Sequence, residues 1–318
     1  MTITLQDSPD DQIPHWLTGV LPVLPTPFSS DDEVDVKEIG TLIAFAARSG
    51  VKTVVTPAFG SEFYKLDGAE RQKVIETAVA HAAPLGLKVV VQCNHTTPRG
   101  AERLATDANR LGAAAVATAL PRAFAASEGQ LMNYARRVCD ATSLPVIVQD
   151  WNPAGRCADG QFFIDLNRQC SNFRMAKLEE PSIGPIVRAI KVQSGGRVGV
   201  LCGWGGIYTV QLFAAGISGI MPGLALADIF VNIWDRLCAG DSNAAMNRFV
   251  KVAAYLAFSL QTFEQFHHAE KRLLVRRGAL VSTHVRPVTI DLDSHGSAYL
   301  DLLIDHLMSD IAHRGTTL

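Results

Sequence analysis

Alternation constrains this chain most: short apolar runs are separated, again and again, by stretches with helical periodicity. The runs are Gly19–Phe28, Val51–Ala58, Leu87–Asn94, Ala113–Pro121, Leu144–Trp151, Phe173–Glu179, Val198–Gly203 and Ile217–Gly223. None alternates cleanly between apolar and polar positions, which is the pattern of strands buried on both faces of a parallel sheet. Between them, Val74, Ile75, Ala78, Val79 and Ala82 mark one face of a helix. Ser127 with Gln130 reads as a capping box before an inner face of Leu131, Tyr134 and Val138, and Thr97-Pro98 is a second helix start. Ser182 likewise precedes a face of Ile183, Ile186, Val187 and Ile190. Ser49-Gly50, Leu111-Gly112 and Ala215-Gly216 supply left-handed caps at helix ends.

About eight strand–helix units before residue 240 predict a (β/α)8 TIM barrel over residues 19–240. A doubly wound open sheet is the rival, and the missing G-x-G-x-x-G after the first strand counts against it. Beyond residue 240 the alternation stops. Helical segments near Asn243–Leu260, Thr262–Arg277 and Ser297–His313 form a C-terminal helical extension, 241–318, and residues 1–18 an N-terminal one.

Bulk chemistry narrows the function classes. Of 318 residues, 48% are hydrophobic and 19% charged, with a net charge of −2. That balance gives no basic face for nucleic acid or an acidic membrane. The opening MTITLQDSPDDQIPHWL is not a secretory signal, and no apolar run nears the roughly 18–20 residues that cross a bilayer. Six scattered cysteines read as reduced thiols, so a cytoplasmic protein is expected.

In parallel α/β folds reactive groups gather at the carboxyl ends of strands. Those ends offer Thr26, Phe59-Gly60-Ser61-Glu62, Asn94-His95, Arg122, Gln149-Asp150, Lys177, Gly203-Trp204-Gly205 and Pro222-Gly223. Lys177, among Phe173, Met175, Ala176 and Leu178, is the sharpest of them. An apolar surround strips hydration from an ammonium and favours the neutral amine, which condenses with a carbonyl to an imine. The other reading is a buried stem whose head snorkels to solvent or pairs with Glu179 or Glu180. His267-His268 with Glu264 lacks a third ligand and sits in the extension, so no metal is expected. His95 reads as a hydrogen-bonded loop residue. Trp204 suits either a pocket wall or a barrel rim.

GVLPVLPTPF, then GSEFYKL one strand later, a lysine on strand six and SGIMPG on strand eight resemble the dihydrodipicolinate synthase / N-acetylneuraminate lyase family. The resemblance runs from about Gly19 to the end of the chain. It implies a barrel of class I aldolases, homo-oligomeric as tetramer or dimer, with no metal or organic cofactor. It makes Lys177 the Schiff-base lysine for a 2-oxo acid, typically pyruvate.

Departures from the family pattern carry equal weight. The G-[ST]-T-G-E loop that holds the 2-oxo acid carboxylate is Ala58-Phe59-Gly60-Ser61-Glu62 here, leaving the Ser61 hydroxyl and the amides of Gly60 and Ser61. The relay tyrosine of a PYY-like turn falls on Ala123 within Pro121-Arg122-Ala123-Phe124. Asp150 is then a candidate acid–base group or a loop anchor, and Arg122 a fork for a second carboxylate or a sugar acid. Gly203 and Ile220, near the ends of strands seven and eight, complete the substrate-binding set with Gly60, Ser61 and Arg122. The expected function is an imine-forming aldolase or dehydratase of a 2-oxo acid such as pyruvate or a deoxy sugar acid. The alternatives are a keto-acid or sugar-acid binding barrel without turnover, and a phosphate-handling barrel using Gly203–Gly206 and Gly223.

Overall fold

The computed structural model describes residues 13–123, 125–153 and 155–312. Most of the expected N-terminal extension (1–12), Phe124 and His313 lie outside them. Eight strands form one sheet in the order β1-β8-β7-β6-β5-β4-β3-β2, every neighbouring pair parallel. They are β1 (Gly19–Val20), β2 (Thr53–Val55), β3 (Lys88–Gln92), β4 (Ala115–Ala119), β5 (Val146–Asp150), β6 (Phe173–Leu178), β7 (Gly199–Cys202) and β8 (Gly219–Ile220). Parallel bridges from Val23 to Val55 and to Gly223 close the ring between its two ends. The result is a TIM barrel, as the alternation predicts.

Helices follow the strands in turn: α1 (Val36–Arg48), α2 (Gly68–Ala82), α3 (Pro98–Arg110), α4 (Glu128–Asp140), α5 (Gly160–Gln169), α6 (Gly184–Gln193), α7 (Thr209–Phe213) and α8 (Ala227–Cys238). The Thr97 and Ser127 side chains accept the N–H of Gly100 and Gln130, so both helices are N-capped where expected, Ser127 by this single bond rather than a reciprocal capping box. Ser182 does not cap: α6 begins at Gly184 after Ile183, and Ser182 itself turns left-handed at φ 61°. Three further helices, α9 (Ser242–Ser259), α10 (Phe263–Arg276) and α11 (Ser294–Ala312), come after the barrel.

Strand side chains alternate between two apolar cores. Inside the barrel lie Leu21, Val55, Val90, Ala117, Ile147, Met175, Leu201 and Met221. The larger outer core joins the opposite strand faces to the helices, with Val91, Val148, Ala176, Cys202 and Ile220 among its members. Two residues beyond Met175, Lys177 shares the inward parity, as Gln149 does beyond Ile147 and Gln92 beyond Val90. A polar layer therefore caps the apolar interior at the carboxyl end of the strands.

Candidate active site

That polar layer is a chain of hydrogen bonds. Gln92 donates to Gln149 (2.5 Å) and Gln149 donates to Glu179 Oε1 (2.8 Å). The same oxygen lies 2.5 Å from Lys177 Nζ. The other Glu179 oxygen accepts the backbone N–H of Trp204, which sits left-handed at φ 46°. A β-carbon at Gly203 would overlap the Glu179 carboxylate, so only glycine lets strand seven end there. Lys177 is 6% exposed and Glu179 9%, yet both open onto a cavity of about 350 Å³ at the barrel mouth.

The cavity's walls come from distant parts of the chain. Ala58, Phe59 and Gly60 supply one side, Trp151 a second, Trp204 and Gly205 a third, and Leu260–Phe266 the cover. Glycines permit this close cover. A β-carbon at Gly60 would meet Phe266 at 3.0 Å, and one at Gly205 would meet Leu260 at 2.5 Å. The extension is thus no remote tail, and Trp204 is a wall of the cavity. His267, which we expected away from the strand ends, lies within 3.1 Å of the Tyr64 hydroxyl in the loop after β2. Burial pushes its imidazole down to about 3, so it is neutral. Among the described residues no cluster of His, Cys, Asp and Glu is arranged to hold a metal.

Of the seven site residues expected from sequence, Lys177 and Gly60 line the cavity and Gly203 makes room for its carboxylate. The other four face elsewhere. Asp150 follows inward-facing Gln149, so its carboxylate points to the outer side, fully buried. Arg122 donates to both its oxygens (Nε–Oδ1 2.9 Å, Nη2–Oδ2 2.6 Å), and the Ala158 N–H adds a third bond at 2.7 Å. This fork-to-fork pair ties the β4 exit to the β5 exit and spends the guanidinium that was expected to meet substrate. Ser61 gives its hydroxyl to the Leu24 carbonyl (2.5 Å) and its amide to Ala58 (2.9 Å). Ile220 turns into the outer core. Asn94 and His95 brace the loop after β3, where Asn94 accepts the Ala119 N–H and His95 the Thr97 N–H. The group that sequence reading passed over as an actor is Glu179. Its signal was present, since it lies two residues past an inward-facing lysine.

A family model described as "Dihydrodipicolinate synthetase family" matches residues 16–157. With the closed barrel and the strand-six lysine in place, membership is decided. The chain belongs to the dihydrodipicolinate synthase / N-acetylneuraminate lyase family. It is a distant member. L-2-keto-3-deoxyarabonate dehydratase of Azospirillum brasilense is 25% identical over 83% of this chain and 86% of its own. YagE of Escherichia coli, provisionally named a 2-dehydro-3-deoxy-D-gluconate aldolase, is 26% identical over 91% and 97%. The solved dihydrodipicolinate synthase of Rhodopseudomonas palustris superposes with a TM-score of 0.85 at 24% identity, covering 93% of this chain and 99% of that one. YagE in complex with pyruvate superposes at 0.83, covering 92% and 99%. Among the described residues no helix is long and apolar enough to cross a membrane.

Proposed function

We propose that this family member is a class I lyase whose Lys177 condenses with the keto group of a 2-oxo acid, with Glu179 as its proton carrier. One observation carries the reading: among the described residues Lys177 is the one lysine lining the mouth cavity, and its amine lies 2.5 Å from a carboxylate lining the same space. An ammonium cannot attack a carbonyl, and Glu179 is placed to take the proton. The amine adds to the keto carbon, and the hydroxyl of the resulting carbinolamine leaves as water once Glu179 returns that proton to it, which leaves the protonated imine on Lys177. The imine then withdraws electrons, so a carbanion can form at the adjacent carbon as an enamine. This electron sink serves both aldol cleavage and dehydration, the two chemistries for which the relatives above are named.

Glu179 supplies what the missing tyrosine would. Ala123 has no proton to carry, and the Asp150 carboxylate is turned away from the cavity into its pair with Arg122. A phosphate ligand at the Gly203–Gly206 turn is disfavoured, because the Trp204 amide is already occupied by a carboxylate. The test is borohydride reduction of the protein with pyruvate, followed by peptide mass mapping. A stable adduct on Lys177, absent without pyruvate, is the expected result. An unmodified protein that still binds pyruvate would instead establish a binding barrel.

A further inference from the structure

Much of the cavity that holds Lys177 is walled by rings. Phe59 and Phe263 stack with centroids 5.2 Å apart and an 11° interplanar angle. Trp151 meets Phe263 edge-on at 4.9 Å and Phe59 at 5.8 Å. Phe266, Trp204 and Leu260 extend the apolar lining. Because the three rings brace one another, the wall is set before any ligand arrives. Few polar side chains join the rings in this lining: besides Lys177 and Glu179, they are Gln261, Thr262 and Glu264. Thr262 accepts the Gln265 N–H at the start of α10. Arg122, the fork expected for a second carboxylate or a sugar acid, is held by Asp150.

A hydroxylated chain placed against this wall would exchange water for ring carbons and leave its hydroxyls without partners. We propose that the substrate's distal group is apolar and of aromatic size, and that the cavity rejects the polyhydroxylated tail of a sugar acid. The proposal rests on the imine reading for the substrate's 2-oxo acid end. The reaction it implies is cleavage of a 4-aryl-4-hydroxy-2-oxo acid. Condensation at C2 with the Lys177 amine releases water. A base takes the C4 hydroxyl proton, and the C3–C4 electron pair moves into the imine, freeing an aryl aldehyde. The enamine is protonated at C3, and water hydrolyses the resulting imine to pyruvate and the free amine.

The test compares the wild-type chain on two substrates, 4-hydroxy-2-oxo-4-phenylbutanoate and a 2-oxo-3-deoxypentonate, by rate of consumption. The phenyl compound is expected to lead in kcat/KM by about a hundredfold, the scale at which an apolar pocket discriminates. Phe263→Ser and Phe59→Ser are each expected to shrink that ratio at least about tenfold, while Phe263→Leu keeps most of it. An equal or reversed wild-type ratio overturns the proposal, and if the same protein traps pyruvate on Lys177 the imine reading survives alone. If neither compound is consumed, calorimetric binding to wild-type protein and to Lys177→Ala decides, with 4-phenylbutanoate and gluconate as probes. A tenfold or greater preference for the phenyl acid upholds the apolar tail site without imine chemistry; no preference refutes it.

Discussion

Two buried lysine–glutamate pairs among the described residues differ in what lies beside them, and only one adjoins the mouth cavity. Lys271 lies 2.6 Å from Glu62, fully enclosed, with its ammonium 4.5 Å above the Phe28 ring and a further bond to the His284 carbonyl. Burial, only partly offset by Glu62, lowers this amine from 10.5 to about 8. Lys177 and Glu179 are as close at 2.5 Å, but they face an open cavity of about 350 Å³. A depressed amine is therefore no sufficient mark of a catalytic lysine. Room for a carbonyl beside the nitrogen is the discriminating property, and Lys271 lacks it: it fastens α10 to the loop after β2.

Exchanging the two lysines' roles by mutation gives the largest contrast. Lys177→Ala should remove all detectable turnover and pyruvate trapping while the melting transition stays cooperative. Lys271→Met should do the reverse: it strands part of the Glu62 charge and costs about 2–3 kcal/mol in a denaturant titration, with turnover per folded molecule retained. The cost stays at the low end because Lys65 remains 2.9 Å from Glu62.

The carboxylates divide in the same way. Glu179→Gln is expected to lower kcat by roughly 10²–10⁴-fold, measured under saturating substrate. Asp150→Asn should leave kcat within about twofold and destabilise by ~2 kcal/mol, since it breaks a bidentate pair with little solvent to replace it. A large kcat loss in Asp150→Asn with an unchanged melting temperature would return the proton carrier to Asp150.

Proton linkage sharpens the contrast. Between about 8 and 10.5 the unfolded chain keeps a proton that folded Lys271 has released. Stability from this group is therefore present above 10.5 and lost as pH falls through 8. Relative to Lys271→Met/Glu62→Gln, the wild type should gain about 3 kcal/mol on going from pH 8 to pH 10.5. A flat difference across that window would mean that Lys271 is not desolvated as its surroundings imply. The smallest effect is expected of Ser61→Ala. Losing the bond to Leu24 should cost ~1 kcal/mol and leave KM for pyruvate unchanged, whereas a tenfold rise would put the hydroxyl on the substrate carboxylate.

Much of the barrel was readable from residues alone. All eight apolar runs contain their strands, and the predicted helical segments after residue 240 coincide with α9, α10 and α11 to within three residues at their starts. Local pattern suffices there because strand and helix periods are short-range properties. The site was readable only in part. Gln149-Asp150 ends β5 in the sequence as Lys177 nearly ends β6, and nothing local says which of Gln149 and Asp150 faces in. A register irregularity at Val146/Ile147 breaks any parity count made across the start of the strand. Ser182 failed as a cap for a similar reason, since its backbone takes a left-handed turn before the helix begins.

By itself the sequence determined the order of the elements and the seat of one lysine near the end of the sixth strand, because both follow from patterns a few residues long. Only the tertiary structure decided that Glu179 and not Asp150 shares that lysine's cavity, and that Leu260–Phe266 closes over it. Closing the ring of strands sets which residue of each pair looks inward. Phe59 and Phe263 meet because α10 packs across the mouth, a contact between segments some two hundred residues apart that no local periodicity encodes.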